Sequence, residues 1–280
     1  MLIWPATRFV AGETRDEALT AVRHLNARGI RATLDLLGEN VKDLDEAQTA
    51  CRAYIDLLRG IAAADVDSGI SIKLTMLGLD IDRELTREHL ISILETARQS
   101  GNWVRIDMEG SRYTQATLDL FYSVFPTHDN VGVVIQSMLR RSAEDVEDLI
   151  RARASVRLVK GAYKESDEIA YASKDDVNAA FDRLAERLLL DGERPAIATH
   201  DDARIDHAIA FAAQQGIEPD RFEFQLLYGL RRETQIALVA RGYRMRVYVP
   251  YGKEWFPYFY RRLRERKENV TFLLKNLLRR

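Results

Sequence analysis

From residue 31 onward, short apolar runs rich in valine, isoleucine and leucine alternate with longer stretches in which apolar positions recur every three or four residues. The first pattern is that of strands buried on both faces and the second that of amphipathic helices, so their alternation predicts βα units feeding a parallel sheet. Strands are expected over 31–37, 70–75, 103–108, 131–135, 156–159, 195–199, 222–226 and 243–249. Between them lie DEAQTACRAYIDLLRGIAAA, REHLISILETARQ, DDVNAAFDRLAERLLL and RIDHAIAFAAQQ, each long enough for a crossover helix.

Eight such units suggest closure into a (β/α)8 barrel, an α/β fold in which about 250 residues form one domain. Residues 1–280 are therefore expected to form a single barrel domain. Its first 30 residues supply a helical segment, GETRDEALTAVRHLNARG, packed against the barrel or closing its bottom. An open doubly wound sheet shares the alternation, but it usually has fewer strands and often a glycine-rich first turn. Neither GxGxxG nor GxxxxGK[ST] occurs, which weakens the dinucleotide-fingerprint and P-loop readings without excluding a cofactor at a barrel mouth.

Composition changes this picture little. The chain is 46% hydrophobic and 30% charged, enough to bury a core. Its 41 lysines and arginines against 43 aspartates and glutamates leave a net charge of −2, which gives no general attraction to nucleic acid or anionic lipid. Cys51 is the lone cysteine and sits in a helical stretch, so it is expected to pack as a small apolar residue in a reducing compartment. No apolar run approaches the ~20 residues of a membrane span, and MLIWPATRF lacks a signal-peptide pattern. A cytoplasmic location is expected.

Barrel enzymes carry their chemistry at the C-terminal ends of the strands, and polar residues gather at seven of the eight expected ends. Lys73 follows the second, Asp107 and Glu109 the third, and Gln136 the fourth, while Arg157 and Lys160 mark the fifth. Thr199, His200 and Asp201 close the sixth, Gln225 the seventh and Tyr248 the eighth. Lys73, Arg157 and Lys160 together predict a positive mouth suited to an anionic ligand, although each alone reads equally well as a solvated strand-end charge. Beyond the last strand, YVPYGKEWFPYFYRRLRER places Arg261, Arg262 and Glu265 within about one helical turn. Adjacent arginines point about 100° apart, so both reach one carboxylate only if this helix lies over the barrel mouth, with Glu265 holding Arg261. A solvated basic helix face is the alternative.

Taken together, SIKLTMLG, RIDMEGS, RLVKGAYKE, ATHD, EFQLLYG and RVYVPYGKEWFPYFYRRLRER resemble the proline dehydrogenase family, in its order, over residues 71 to 266. The resemblance is to the short monofunctional bacterial enzymes and to the corresponding domain of bifunctional proline-catabolic proteins. It implies FAD-dependent oxidation of L-proline to Δ1-pyrroline-5-carboxylate by hydride transfer to flavin N5. Lys73, Arg261 and Arg262 then match the residues that bind the proline carboxylate. Arg157 matches an arginine beside flavin N5, and Asp107 an active-site aspartate that orients basic groups or takes part in proton transfer. Met108, Gln136, Lys160, Gly161, Ala162, Thr199 and His200 match FAD-contacting positions, with Gln225 at the flavin or just behind it. Tyr248, Tyr163 and Leu227 match the apolar wall around the pyrrolidine ring.

The same resemblance implies a quinone acceptor at the membrane surface and a pyrroline-5-carboxylate dehydrogenase as possible recipient of the product. Residues 261–280 carry eight basic and two acidic side chains among leucines, a composition suited to a lipid-facing surface or to a docked or solvated helix. Two other chemistries remain open from the residues alone. Lys73 or Lys160 at a strand end suits a Schiff-base lyase, and an inactive barrel suits a binding scaffold. A metal-dependent hydrolase fits poorly: His200 and Asp201 are adjacent, no HxH occurs, and His24, His89, His128 and His207 fall in helices or loops.

Overall fold

A computed structural model of the chain describes residues 6–265. Eight parallel strands close into a barrel in sequence order, β1 pairing with both β2 and β8. The strands are β1 (Arg31–Leu36), β2 (Ser68–Ile72), β3 (Val104–Ile106), β4 (Val131–Gln136), β5 (Ser155–Val159), β6 (Glu193–Ala198), β7 (Glu223–Leu227) and β8 (Arg244–Tyr251). Helices α2 (Leu44–Ala64), α3 (Arg83–Gln99), α4 (Thr114–Val124), α5 (Ser142–Arg151), α6 (Lys174–Asp191), α7 (Asp202–Gln214) and α8 (Arg232–Ala240) connect them. Their starts follow local chemistry: the side chains of Asp43, Asp82, Ser173 and Asp201 each accept from a backbone N–H of the first turn of α2, α3, α6 and α7.

Two expected strand boundaries move. The second strand ends at Ile72 rather than at residue 75, because Leu74–Leu77 winds into a 3-10 turn closed by the Gly78 N–H on the Leu74 carbonyl. The sixth begins at Glu193, and Arg194 and Pro195 together stand opposite Val156, a bulge that accommodates a proline unable to donate to the ladder.

Strand alternation divides the interior in two. Ala32 and Leu34, Ile70 and Ile72, Val104 and Ile106, Val156 and Leu158, and Val247 and Val249 face outward and are fully covered by the helices. The residues between them face the lumen and are polar: Thr33, Asp35, Ser71, Arg105, Ser155, Arg157, Glu223, Gln225 and Arg246. The main hydrophobic core is thus the layer between sheet and helices, whereas barrel lumens are more often filled by branched aliphatics. Lumen charges are compensated within the barrel, as their burial demands: Arg246 Nε lies 2.9 Å from Glu223 Oε1, and Arg105 donates to the Ser155 carbonyl at 2.7 Å.

The first and last helices complete the ring and the mouth. Helix α1 (Arg15–Asn26), opened by a Thr14/Glu17 capping box, packs Ala18, Leu19, Val22 and Leu25 over the seam where β8 closes on β1. The N-terminal segment thus lies against the side of the barrel rather than under it. Helix α9 (Trp255–Glu265) buries Tyr258 and Phe259 with Phe9, Val10, Leu37 and Leu230, a separate apolar cluster at the ends of β1 and β7. The Arg8 carbonyl lies so close to Gly229 (φ 74°) that a Cβ there would stand 1.6 Å away, so glycine is required for this closure. Pro257 and Tyr258 put α9 over the barrel mouth, as expected.

Candidate active site

The C-terminal ends of the strands enclose a cavity of about 1710 Å³. Lys73, Asp107, Met108, Gln136, Arg157, Lys160, Gly161, Ala162, Tyr163, Thr199, His200, Gln225, Leu227 and Tyr248 all line it. These fourteen positions, spread from β2 to β8, are brought together by barrel closure alone. Arg261, Arg262 and Glu265 fall in the last turns of α9, and their side chains lie outside the described residues. The tail at 266–280 also lies outside them.

At the foot of the cavity two side chains meet on one carboxylate. Arg157 Nη1 donates to Asp107 Oδ1 at 2.7 Å, and the Tyr248 hydroxyl donates to Asp107 Oδ2 at 2.6 Å. Arg157 is further held by two 3.1 Å hydrogen bonds to Ser71 Oγ and lies over the Tyr248 ring at 5.4 Å. Its Nε is buried without a hydrogen-bond partner. Burial, reinforced by the Asp107 carboxylate, pushes the Tyr248 phenol well above its ordinary pKa, so it stays a donor.

Beside this cluster, Lys73 Nζ lies 2.6 Å from Oδ1 of Asp35, and both residues are buried. Burial alone would lower the lysine pKa, but Asp35 outweighs it with help from Tyr54 and Asp107, and the pKa is raised. Burial likewise pushes the Asp35 carboxyl upward against the pull of Lys73, so each of the two keeps its charge through the other. On the far wall Lys160 Nζ donates to Asp201 Oδ2 at 2.6 Å and to Asn178 Oδ1 at 2.5 Å. Burial opposes ionisation of Asp201, yet Lys160 prevails and holds its carboxyl below the usual range.

These pairings correct the expected excess of positive charge: Lys73, Arg157 and Lys160 each have an aspartate of their own. Asp35 was missed by a reading confined to strand ends, because it lies two residues short of the expected end of β1. Its sequence signal is an acidic residue inside an apolar run, TLDLL.

The remaining wall is fixed by further hydrogen bonds. Glu109 accepts from Thr75 Oγ1 at 2.5 Å and from Thr75 N at 3.2 Å, and its own carbonyl accepts from Gln136 Nε2 at 2.9 Å. The Leu227 N–H donates to His200 Nε2 at 2.9 Å, which puts the proton of the neutral ring on Nδ1. Thr199 Oγ1 accepts from the Asp201 N–H at 3.2 Å, and the Gln225 amide donates to Glu223 beneath the cavity. Tyr163 packs beside Met138, Leu139 and Ala170. Gly161 has φ 116°, a backbone conformation open to glycine, and bends the chain after Lys160 along the cavity edge.

Such an arrangement offers two buried ion pairs at the bottom of a large cleft with partly apolar walls. It suits an anionic ligand placed by Lys73 and a second, bulkier ligand above Arg157. Among the described residues no three His, Cys, Asp or Glu side chains assemble as a metal-ligand group.

Known proteins resemble the chain over nearly its whole length. The family model described as proline dehydrogenase matches residues 18–275. Proline dehydrogenase 2 of Bacillus subtilis (strain 168) is 41% identical over 272 residues, covering 97% of this chain and 90% of its own. The proline dehydrogenase of Deinococcus radiodurans is 38% identical over 279 residues, covering 98% and 90%. The crystal structure of proline utilization A from Bdellovibrio bacteriovorus, inactivated by N-propargylglycine, superposes with a TM-score of 0.87 at 28% identity. That match covers 92% of this chain, which spans 32% of the Bdellovibrio protein. With a family match across nearly the full barrel and relatives of similar length at about 40% identity, the chain belongs to the proline dehydrogenase family.

Proposed function

We propose that this protein oxidises L-proline to Δ1-pyrroline-5-carboxylate, with FAD as hydride acceptor and a quinone as the final oxidant. The observation that carries this reading is the Arg157–Asp107–Tyr248 cluster at the foot of a cavity of about 1710 Å³. Such a volume exceeds the ~300–1,000 Å³ typical of sites for one small ligand, and so has room for a large cofactor beside a small substrate. Arg157 adds a second sign. Its Nε is a buried donor without a protein acceptor, a state that costs stability unless a ligand supplies one.

The residues fit FAD. Arg157, Gln136, Lys160, Gly161, Ala162, Thr199, His200 and Met108 would hold it, with Gln225 behind them. When bound, FAD supplies a two-electron acceptor for the hydride that leaves C5 of proline. Every other part falls to the chain. Lys73 anchors the substrate carboxylate with the two ammonium protons that Asp35 leaves free, and Arg261 and Arg262 complete the clamp. Anchoring fixes the ring's distance and angle, which converts binding into orientation.

Asp107 acts by position. Both of its oxygens are engaged, one by Arg157 and one by Tyr248, so it orders those groups. Arg157 holds a fixed cation that would stabilise negative charge on a reduced cofactor. Tyr248, Tyr163 and Leu227 wall the pyrrolidine ring and keep water from it. The substrate's ammonium gives up one proton to solvent before it reacts; C5 then loses its hydride and the nitrogen lone pair closes the C=N bond of the protonated imine. That product suits a pyrroline-5-carboxylate dehydrogenase as the next enzyme. No described helix is long and apolar enough to cross a membrane, and quinone reduction would take place by contact at its surface.

The Schiff-base alternative is disfavoured on a specific observation. A carbonyl-trapping lysine must be a neutral amine, whereas Lys73 and Lys160 are each ion-paired and Lys73 is held charged. The activity is tested by reduction of an electron-accepting dye by the FAD-loaded protein. L-proline should support it and D-proline should not; a protein inert to L-proline, but trapped by borohydride with a keto acid, would restore the lyase reading.

A further inference from the structure

We propose that Asp35 is the positioning residue for Lys73, holding the ammonium in place and charged before substrate arrives. The role assigned to Lys73's ligand rests on the proposed proline chemistry; the pairing itself does not.

The lysine stem is flexible, and a lysine searching for its ligand loses rotamer freedom on binding. Here that loss is already taken in the free protein. Asp35 extends into the lumen from β1, in register with Ser71 of β2, and Lys73 leaves the end of β2 two residues beyond Ser71. The 2.6 Å contact between them uses one of the three ammonium protons. Two remain for a carboxylate.

Other groups around Lys73 do not replace Asp35. Tyr54 of α2 donates its hydroxyl to Met76 Sδ at 3.3 Å. Asp107 is divided between Arg157 and Tyr248 of β8, and Glu109 is held by Thr75. Asp35 is thus the one carboxylate hydrogen-bonded to Lys73 among the described residues. Burial of the lysine works against its charge, and Asp35 is the largest influence opposing that effect. Without the Asp35 carboxylate, burial would push the Lys73 ammonium toward the neutral amine.

Asp35→Asn keeps the shape and removes the charge. The variant should raise the KM for L-proline about 10- to 100-fold, the range for a lost charge-assisted contact, with a smaller change in kcat. It should also acquire an alkaline limb in kcat/KM that the parent lacks. In a Lys73→Met background the same substitution should change KM no further, because its effect passes through Lys73. Equal losses in both backgrounds, or a KM unchanged at every pH, would overturn the proposal.

A readout without substrate separates this proposal from the proline assignment. Brief acylation with acetic anhydride at alkaline pH, mapped by mass spectrometry, should spare Lys73 in the parent and modify it in Asp35→Asn, since only a neutral amine reacts. This holds whether or not proline is oxidised; equal labelling of both proteins sinks the idea. If Asp35→Asn does not fold, the Asp35→Asn/Lys73→Met pair decides. It should fold, because no lone buried ammonium remains, and an unfolded pair would make Asp35 purely structural.

Discussion

Tyr248 donates its hydroxyl to Oδ2 of Asp107 at 2.6 Å, joining β8 to the end of β3 across the barrel lumen. Asp107→Ala removes the acceptor for both Tyr248 and Arg157 and leaves the guanidinium without a carboxylate. Hydrogen bonds to charged groups contribute about 1.5–3 kcal/mol each, so kcat/KM for L-proline should fall about 100-fold or more. Tyr248→Phe keeps the ring and should cost about tenfold. Steady-state kinetics normalised to bound flavin measure both, and an Asp107→Ala enzyme with unaltered kcat/KM contradicts the orienting role.

Below the site, Arg246 and Glu223 form a lumen ion pair at 2.9 Å. Burial pushes the Glu223 carboxyl upward, but Arg246, Gln225 and Arg105 outweigh it and its pKa is lowered. A lowered pKa contributes stability above the unfolded value of about 4.3, and that contribution is lost as pH falls through the folded value. Glu223→Gln should therefore destabilise the barrel by about 3–5 kcal/mol at neutral pH, the cost of breaking a buried pair. Thermal melts should show the gap between parent and variant narrowing below about pH 4. A gap independent of pH would show that the charge on Glu223 is not what matters.

Gly161 tests the cavity edge. Its φ of 116° disfavours any side chain, and a Cβ would stand 2.3 Å from Met138 Sδ. Gly161→Ala should cost about 1–3 kcal/mol of backbone strain and lower the ratio of bound flavin to protein. Full flavin content with an unchanged melting temperature would mean that this bend is unimportant.

The proposed arginine clamp has a test of its own. Arg261→Met or Arg262→Met should weaken proline binding by about 1.5–3 kcal/mol while leaving flavin content intact. The KM for L-proline reports it, and unchanged kinetics in both variants would remove α9 from substrate recognition.

Much of this arrangement was legible in the sequence because a polar residue at the end of an apolar strand stands out. Lys73, Asp107, Gln136, Arg157 and Tyr248 were found in that way, and barrel closure brought them to one cavity. The charge balance was not legible. Lys73 and Asp35 are 38 residues apart, Lys160 and Asp201 41, and Arg157 and Asp107 50. Each pairing depends on which strand ends become neighbours across the lumen, and that is fixed by closure and register rather than by spacing along the chain. The polar lumen was hidden for a related reason: Arg105, Glu223 and Arg246 lie at the N-terminal halves of strands, where a search for catalytic groups does not look.

The most direct test of the central claim is an anaerobic titration of the purified, FAD-loaded protein with L-proline, followed at the oxidised-flavin band near ~450 nm. Bleaching of that band on stoichiometric addition of proline is the predicted result, since hydride transfer to the cofactor needs no other reactant. A flavin that stays oxidised in excess proline would contradict the account.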